Sequence, residues 1–404
     1  MNKLVFSALL LAGAIVTAQQ PVPQQPVPPP GPLPTQPGAQ PPAPAPLPPL
    51  VTVKPIRPPS KPLPNENDSA GITRFSFIAY GDTRSGAAPD VPGDGVIIQP
   101  QHKQLVEEMI AKAKGLSATP FPVRFVVQSG DAVLRGINGT MWNVSFSPII
   151  DKLSAANLPY FFSVGNHDVT GMPVGDRARA QGLHNVLAAM SKLMPSEGSP
   201  RRLAGYPTYS FGYGNTFFLM IDSNIANDPL QLTWVTNQLE QLDRRRYVNI
   251  VAVFHHPPFS SGPHGGDTVE PATAVIRNVY MPLFRKHHVR LLITGHDHLL
   301  DHFVEHYTDP DGTTYRLDCI VTGGGGAPIY TYDSEPDLIT YLTAGAAQKI
   351  RVDHIMRPGP TQAENPHHFV VVRVDGTKLS VEIVALGGQP FAPYGGKSSL
   401  ELAD

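Results

Sequence analysis

The chain has 404 residues, of which 41% are hydrophobic, so it can bury a large core. Its formal net charge at pH 7 is only −2, which excludes a general electrostatic attraction for nucleic acid. Any preference for an anionic ligand must therefore come from a local site.

The first 18 residues have the pattern of a secretory signal peptide. Lys3 precedes an apolar run from Leu4 to Val16, and the small residues Thr17 and Ala18 follow it. We predict cleavage after Ala18 and a secreted or periplasmic protein. The apolar run is shorter than the roughly 20 residues of a membrane span, and an uncleaved N-terminal anchor is the alternative.

Proline dominates the next segment, residues 19–70. Proline has no backbone N–H and a fixed φ angle, so we predict a disordered, extended linker. Such a linker would hold the folded part away from a membrane or a cell wall. A recognition segment for a proline-binding partner is the alternative.

Residues 71–390 alternate apolar runs of strand length with stretches of helical period, which predicts one α/β domain. Hairpin turns are expected at Gly214-Asn215 and Asp375-Gly376. These hairpins add antiparallel strands, so we predict two mixed sheets packed face to face, with helices on the outer faces and a tail at residues 391–404. The strand candidates are 74–82, 123–131, 159–168, 217–224, 249–256 and 289–298, and the clearest helices are 102–114, 148–157, 229–245 and 273–287.

Five of the predicted strands end in the same way, with apolar residues followed at once by Asp, Asn or His. Because ligands of open α/β sheets collect at the carboxyl ends of strands, we expect these side chains to share one centre. Carboxylate and amide oxygens together with imidazole nitrogens suit divalent transition metals. An aspartate that bridges two ions would hold them about 3.5–4 Å apart, as in sites that activate water against phosphate. The residues are Asp82, Asp131, Asn166-His167, His255-His256 and His296-Asp297-His298.

The chain contains five short motifs that resemble, in kind and in order, those of the calcineurin-like metallophosphoesterases. The resemblance covers nearly all of residues 74–390 and implies a metallophosphoesterase-like four-layer sandwich. The run HHPPFSSGPHG at residues 255–265 is similar to the acid-phosphatase-like branch of that superfamily, which includes the purple acid phosphatases. The motifs are GD (81–82), GD (130–131), GNHD (165–168), FHHPP (254–258) and GHDH (295–298).

The resemblance implies a role for each matched residue. Asp82 and His298 would hold the first metal, and Asp131 would bridge both ions. His167 would lie over the phosphate and either protonate the leaving oxygen or stabilise its developing charge. Asp168 would support that histidine or its loop, with a helix or turn cap as the alternative. The second metal would be held by Asn166, His255 and His296.

Two positions depart from the family pattern. The family's first motif is Asp-x-His, but the third position here is Arg84, whose guanidinium offers no lone pair to a metal. Water or an unidentified residue would then complete the shell of the first metal. The tyrosine that purple acid phosphatases carry three residues after the bridging aspartate is Leu134 here, which argues against a purple iron site.

Arg84 and two histidines are candidates for contact with the substrate. We hypothesise that Arg84 clamps the phosphate, because its fork of donors matches two phosphate oxygens. The alternatives are an outward salt bridge with an acid such as Asp90, and a degraded first-metal site. His256 and His264 are the other candidates, with His256 pointing across its strand and away from the centre as its alternative. The candidate catalytic residues are His167, Arg84 and Asp168.

The sequence therefore predicts an exported, binuclear-metal-dependent phosphoesterase that hydrolyses small phosphomonoesters by metal-hydroxide attack. The two divalent ions would be Mn, Fe, Zn or Co. A phosphodiesterase or nucleotide phosphohydrolase on the same scaffold is one alternative. A catalytically inactive, metal-stabilised binding protein is the other, and the absent first-motif histidine is the feature that favours it.

Overall fold

The computed structural model describes residues 51–84, 86–87, 96–97, 99–170, 175–266 and 269–402. The predicted signal peptide, most of the predicted linker and Asp90 lie outside these ranges. None of the helices in this part of the chain combines the length with the hydropathy that a bilayer crossing requires.

Strands and helices alternate through most of the described chain. The strands are β1 (Arg74–Tyr80), β2 (Gly86–Ala87), β3 (Val96–Ile97), β4 (Val123–Gln128), β5 (Tyr160–Phe162), β6 (Tyr209–Tyr213), β7 (Thr216–Met220), β8 (Asn249–Val253), β9 (Leu291–Thr294), β10 (Leu300–Thr308), β11 (Thr314–Thr322), β12 (Arg351–Met356), β13 (His368–Asp375), β14 (Lys378–Ala385) and β15 (Ser399–Leu402). The α-helices are α1 (Pro100–Leu116), α2 (Ser147–Ala155), α3 (Asn166–Val169), α4 (Arg177–Met190), α5 (Pro229–Glu240), α6 (Pro271–Val275), α7 (Met281–Lys286) and α8 (Ile339–Ala344). Wider π turns at Met141–Phe146 and Ile276–Tyr280 lead into α2 and α7, and single 3₁₀ turns lie at Asn67–Ser69, Ser223–Ile225, Ala346–Gln348, Gln362–Glu364 and Leu386–Gly388.

Two mixed sheets organise the domain, as the sequence predicts. The first has the strand order β15-β14-β13-β1-β4-β5, in which β1, β4 and β5 run parallel. The second has the order β12-β10-β11-β9-β8-β7-β6, in which β7, β8, β9 and β11 run parallel. Both predicted hairpins form, β6 with β7 and β13 with β14. β2 and β3 pair with each other outside these sheets.

The sheets pack face to face through aromatic side chains. Phe77 and Phe125 of the first sheet both meet Phe218 of the second edge to face, with ring centroids 5.1 Å apart in each pair. Along β7 the side chains alternate, so that Phe218 faces the other sheet while Phe217 and Leu219 belong to the outer core. This alternation gives each strand two apolar faces, one for the opposite sheet and one for helices.

Helices cover both outer faces and complete a four-layer sandwich. Leu105 of α1 and Ile149 of α2 join the core cluster of the first sheet, while Val235 of α5 and Phe284 of α7 pack on the second. Local signals set the helix starts. For example, α5 begins with a proline directly after Asp228, whose carboxylate accepts a 2.8 Å hydrogen bond from the Gln231 N–H.

The boundaries predicted for the linker and for the tail differ from the structure. Residues 51–70 pack on the domain: Ile56 is 1% exposed within the core, and its N–H donates to the Ala189 carbonyl at 2.9 Å. Glu66 accepts hydrogen bonds from both Arg201 and Tyr247. In the predicted tail, β15 forms the edge of the first sheet. Proline-rich composition hides the few apolar side chains that fix the first segment.

Replacing Ile56 with Ala is expected to lower the free energy of unfolding by about 2–4 kcal/mol, because the change removes buried methyl groups and leaves a cavity. Urea denaturation measures this. Ile339→Ala is the matched control, since Ile339 is 77% exposed, and it should change the value by no more than about 0.5 kcal/mol. Equal, small effects of the two changes would contradict the assignment of residues 51–70 to the folded domain.

Candidate metal centre

The predicted strand-end residues meet at one place, where the carboxyl ends of parallel strands from both sheets converge. The loops after β1, β4 and β5 come from the first sheet, and the loops after β8 and β9 come from the second. The structure brings together the six predicted ligands Asp82, Asp131, Asn166, His255, His296 and His298, as the distances below show.

The backbone of these loops is strained where the side chains turn inward. Four residues have positive φ angles, a backbone region that residues other than glycine rarely occupy. The angles are 61° at Asp82, 40° at Arg84, 54° at Asp131 and 72° at His296. Hydrogen bonds between the loops hold this conformation, with the Asp82 N–H donating to the Gly130 carbonyl at 3.0 Å. Such strain persists only when the surrounding structure over-determines it, and it clusters at functional sites.

Two glycines of the motifs are explained by close approach. A Cβ atom on Gly165 would lie 2.1 Å from Asp131 Oδ1, and a Cβ atom on Gly295 would lie 2.2 Å from Asp82 Oδ2. Any larger residue would push these carboxylates out of place. The glycine in each motif therefore makes room for the acidic side chain of another motif.

One half of the cluster consists of Asp82, Asp131 and His298. One ligand atom from each lies within 4.8 Å of the others, and all three side chains are buried. His298 Nδ1 donates to the Pro328 carbonyl at 2.8 Å, so the proton of the neutral ring is on that nitrogen. His298 Nε2 then presents a lone pair 3.7 Å from Asp82 Oδ1, and it is buried with no hydrogen-bond partner in the described chain. A cation beside these oxygens would satisfy it.

The other half brings together three atoms that are all acceptors when both histidine rings are neutral. His255 Nδ1 donates to the Ser129 carbonyl at 3.1 Å, which leaves Nε2 bare and 2.8 Å from Asn166 Oδ1. His296 Nε2 donates to the Glu270 carboxylate at 2.9 Å, which leaves Nδ1 bare and 3.2 Å from both of those atoms. Lone pairs at such distances repel one another. This donor set therefore fits a metal ion, with one oxygen and two nitrogen ligands.

Asp131 lies between the two halves. Its Oδ1 is 3.4 Å from His255 Nε2 and accepts the His167 backbone N–H at 3.0 Å. Its Oδ2 is 3.5 Å from Arg84 Nε and 4.0 Å from His167 Nε2. The carboxylate thus contacts His255 of the second half and lies within 4.8 Å of the ligand atoms of Asp82 and His298 in the first. This is the position that a bridging ligand needs.

Burial and neighbouring charges shift the pKa values of these groups in different directions. Burial, followed by the charge of Asp131, raises the pKa of Asp82 well above its usual range. Burial also acts to raise the pKa of Asp131, but His255, His167 and Arg84 together outweigh it and lower the value. Burial lowers the pKa of His255 and of His298 to about 3 in each case, so both rings are neutral near pH 7 and able to bind a metal.

His167 and Arg84 lie at the open side of the cluster. The side chain of His167 is 25% exposed, and its Nδ1 is 2.8 Å from the Leu134 carbonyl, which turns Nε2 towards Asp131. The side chain of Arg84 is 19% exposed and contacts Asp131 through Nε. The alternative salt bridge with Asp90 lies outside the described residues.

Asp168 holds the loops and does not touch the ring of His167 in the described contacts. Its carboxylate accepts backbone N–H groups from Gly165, Asp131 and Ala132 at 2.8–2.9 Å. These contacts fit the predicted support of the loop, and the bond from the Gly165 N–H is also the predicted helix cap. A catalytic role for Asp168 stays a prediction. The ligand-bearing loops after β4 and β5 are held together through this one buried carboxylate.

The two other predicted histidines both lie beside His296. The ring centroid of His256 is 4.5 Å from that of His296, so the alternative in which His256 points away from the centre is wrong. The ring centroid of His264 is also 4.5 Å from that of His296. Sequence reasoning missed Glu270, which contacts His296 and His264, and Tyr330, whose ring stacks on His298 at 4.2 Å. Neither follows a predicted strand, so no pattern in the sequence marked them.

Comparisons with known proteins agree with this fold. The profile of the calcineurin-like phosphoesterases matches residues 99–300, which include five of the six predicted ligands but not Asp82. That match covers half of the chain, and the chain belongs to the calcineurin-like phosphoesterase family. The predicted family and its sandwich fold are thereby confirmed.

Named relatives point to the acid-phosphatase-like branch, and a solved structure shares the fold. The chain is 28% identical over 186 residues to "Probable purple acid phosphatase 20" of Arabidopsis thaliana, covering 45% of this chain and 40% of that protein. It is 24% identical over 276 residues to "Purple acid phosphatase 7" of the same plant, covering 61% of this chain and 75% of that protein. The purple acid phosphatase PPD1 from yellow lupin seeds shares the fold with a TM-score of 0.56 and 18% identity, over 85% of this chain and 55% of that one.

In metal-free protein at pH 7, Asp82→Asn is expected to raise the midpoint of thermal unfolding. Because the folded state raises the pKa of Asp82, its ionisation costs stability above the folded pKa, and the cost disappears below the unfolded pKa of about 3.9. Asparagine keeps an oxygen that can accept the His296 N–H, which now donates to Asp82 at 3.0 Å. Unfolding scans at several pH values should show the gain shrinking as the pH falls towards 4.

Asp68→Asn is the control for this series, since Asp68 is exposed, and its midpoint should stay within the scatter of the unmodified protein. A fall in the midpoint of Asp82→Asn at pH 7, or a gain that grows in acid, would contradict the account of the buried carboxylates.

Proposed function

We propose that this protein is a metal-dependent phosphoesterase that hydrolyses small phosphomonoesters with two divalent ions. One observation carries the proposal: Asn166 Oδ1, His255 Nε2 and His296 Nδ1 converge within 3.2 Å, while the other ring nitrogens of both histidines already have acceptors in Ser129 and Glu270. The family to which the chain belongs is metal-dependent, and its phosphatase relatives support hydrolysis of phosphoric esters.

Each half of the cluster would hold one ion. Asp82, Asp131 and His298 would supply the first set of ligands, to which Arg84 can add no lone pair, so water or another residue would complete it. Asp131 also belongs to the second set, whose other members are Asn166, His255 and His296. When bound, two such ions supply a hydroxide nucleophile at neutral pH and compensate the charge of the phosphate. Mn, Fe, Zn and Co all suit these nitrogen and oxygen ligands.

His167 is the residue that we assign to the leaving group. Its Nδ1–H donates to the Leu134 carbonyl at 2.8 Å, and this contact fixes the ring with Nε2 towards the open side of the cluster. In the imidazolium form, Nε2 carries a proton that can pass to the departing alkoxide oxygen. The Asp131 carboxylate lies 4.0 Å from Nε2, on the side of the ring that faces the cluster.

Arg84 is the residue that we assign to the substrate phosphate. A guanidinium beside a cationic centre needs an anion to face, and Arg84 has one in Asp131 through Nε at 3.5 Å. Its remaining donors can pair with two oxygens of a phosphate. A terminal, dianionic phosphate would gain most from this extra positive charge, which supports monoesters as the substrates.

The N-terminal segment supports export. The first 18 residues carry a basic residue, an apolar run and small residues in the order of a signal peptide. We therefore propose a secreted or periplasmic enzyme whose proline-rich segment before residue 51 acts as a tether, without an affinity for nucleic acid.

His167→Ala is expected to lower kcat by about 10²–10⁴-fold, because the leaving oxygen would depart without a proton donor. Assays with an alkyl monophosphate, whose alkoxide leaving group needs a proton, together with elemental analysis, should show this loss at an unchanged metal content. His306→Ala is the control, since His306 lies on β10 and pairs with Asp353. Unchanged turnover in the His167 variant would contradict the assignment, and an absence of turnover in the unmodified, metal-loaded protein would favour an inactive binding protein.

Arg84→Ala is expected to lower kcat/KM for the same substrate by about 10–100-fold, because charge-assisted hydrogen bonds to the phosphate contribute about 1.5–3 kcal/mol. Arg84→Lys keeps the positive charge but loses the two-pronged donor geometry. Its kcat/KM should therefore lie between that of Arg84→Ala and that of the unmodified protein. Arg74→Ala removes an exposed arginine that pairs with Asp375 and serves as the control. Steady-state kinetics identical to those of the unmodified protein would show that Arg84 does not clamp the substrate.

A further inference from the structure

Glu270 links two histidines of the site from a loop that no motif marks. The residue directly precedes α6, yet its side chain makes no capping hydrogen bond to that helix. Instead, Oε2 accepts from His296 Nε2 and Oε1 is paired with His264 Nδ1, each at 2.9 Å. Since the carboxylate does not serve the helix, its role must be sought in these two contacts.

We propose that Glu270 is a positioning residue that fixes the ring of His296 for metal binding, an inference that rests on the proposed function. A neutral imidazole has one proton and two nitrogens, and a metal can use only the bare nitrogen. By accepting the Nε2 proton, Glu270 selects the form of His296 in which Nδ1 is bare. That nitrogen is the one that lies 3.2 Å from Asn166 Oδ1 and His255 Nε2.

His296 differs in this respect from the other two histidines of the cluster. The Nδ1 protons of His255 and His298 are held by the carbonyl groups of Ser129 and Pro328. Backbone acceptors cannot be removed by substitution, whereas the acceptor for His296 is a side chain. The half of the cluster that contains His296 therefore depends on Glu270 in a way that the other half does not.

The other carboxylate oxygen of Glu270, Oε1, connects His296 to His264, one of the candidates for contact with the substrate. The ring of His264 lies beside that of His296, tilted by 41° with the ring centroids 4.5 Å apart, and the backbone N–H of His264 donates to Asp297 Oδ1 at 3.1 Å. Glu270 thus holds His264 and His296 in a fixed relation. The carboxylate is 32% exposed, so its removal is not expected to unfold the protein.

The test compares Glu270→Ala with Glu270→Gln in protein stripped of metal and titrated with Zn²⁺ against a competing chelator. We expect two binding steps in the unmodified protein. Glu270→Ala should weaken one of them by about 10–100-fold and leave the other unchanged, because loss of a partner that orients a metal-binding histidine has effects of this size. Glu270→Gln should lose less than tenfold, since its amide oxygen can accept from His296 while its NH₂ group faces His264.

Glu335→Ala is the matched control, because Glu335 is also a partly exposed carboxylate that pairs with a histidine, His354, outside the cluster. Equal Zn²⁺ affinities in Glu270→Ala and the unmodified protein would overturn the inference, as would an equal loss in the control. The inference would also be overturned if the unmodified protein bound three Zn²⁺ ions and Glu270→Ala bound two. Glu270 would then be a metal ligand together with His256 and His296. Unmodified protein that takes up no ion would overturn the proposed function as well.

Discussion

The structure depends on a cluster of acceptor atoms whose mutual repulsion a bound cation would relieve. Asn166 Oδ1, His255 Nε2 and His296 Nδ1 point at one another from three loops, and the protons that could have separated them are held elsewhere. Beside them lie two buried carboxylates, of which Asp82 is raised in pKa by burial and by its neighbour Asp131. Unpaired groups of this kind are costly inside a protein, and a domain that keeps them must recover the cost by binding.

The packing of the two sheets keeps these groups close together in spite of that cost. Phe77, Phe125 and Phe218 lock the sheets together, so the strand ends cannot move apart to relieve the crowding. The loops absorb the difference as strain, with φ angles of 61° at Asp82 and 54° at Asp131. Asp168 then ties the loops after β4 and β5 together through backbone hydrogen bonds. A site held in this way is pre-organised before any ligand arrives.

Much of this arrangement could be predicted from the sequence, because two independent signals show where the strands end and where those ends meet. An apolar run of strand length stops at a glycine or a polar residue, and parallel strands must end at the same edge of a sheet. These two facts placed Asp82, Asp131 and the histidines together without a structure. The helix α4 was not predicted, because Arg179 interrupts its apolar face. The arginine is buried only because it pairs with Asp222 at 2.5 Å, a contact from a distant loop.

The remaining features depend on contacts that have no local pattern. Glu270 reaches His296 only through the path of a long loop, and Ile56 enters the core from a segment whose composition predicts an unfolded linker. Asp168 stands in a motif beside His167, but only the structure shows that its carboxylate is held by the backbone N–H groups of two loops. Sequence patterns indicate which elements form and where they end, whereas the side chains that support a site are chosen by the folded packing.

The most direct test of the account is elemental analysis of the purified protein, combined with phosphatase assays after metal is stripped and restored. The account predicts two transition-metal ions per chain, loss of hydrolysis when they are removed, and recovery when they are returned. Protein that binds no ion at the converging lone pairs, or that hydrolyses phosphomonoesters equally well without metal, would contradict it.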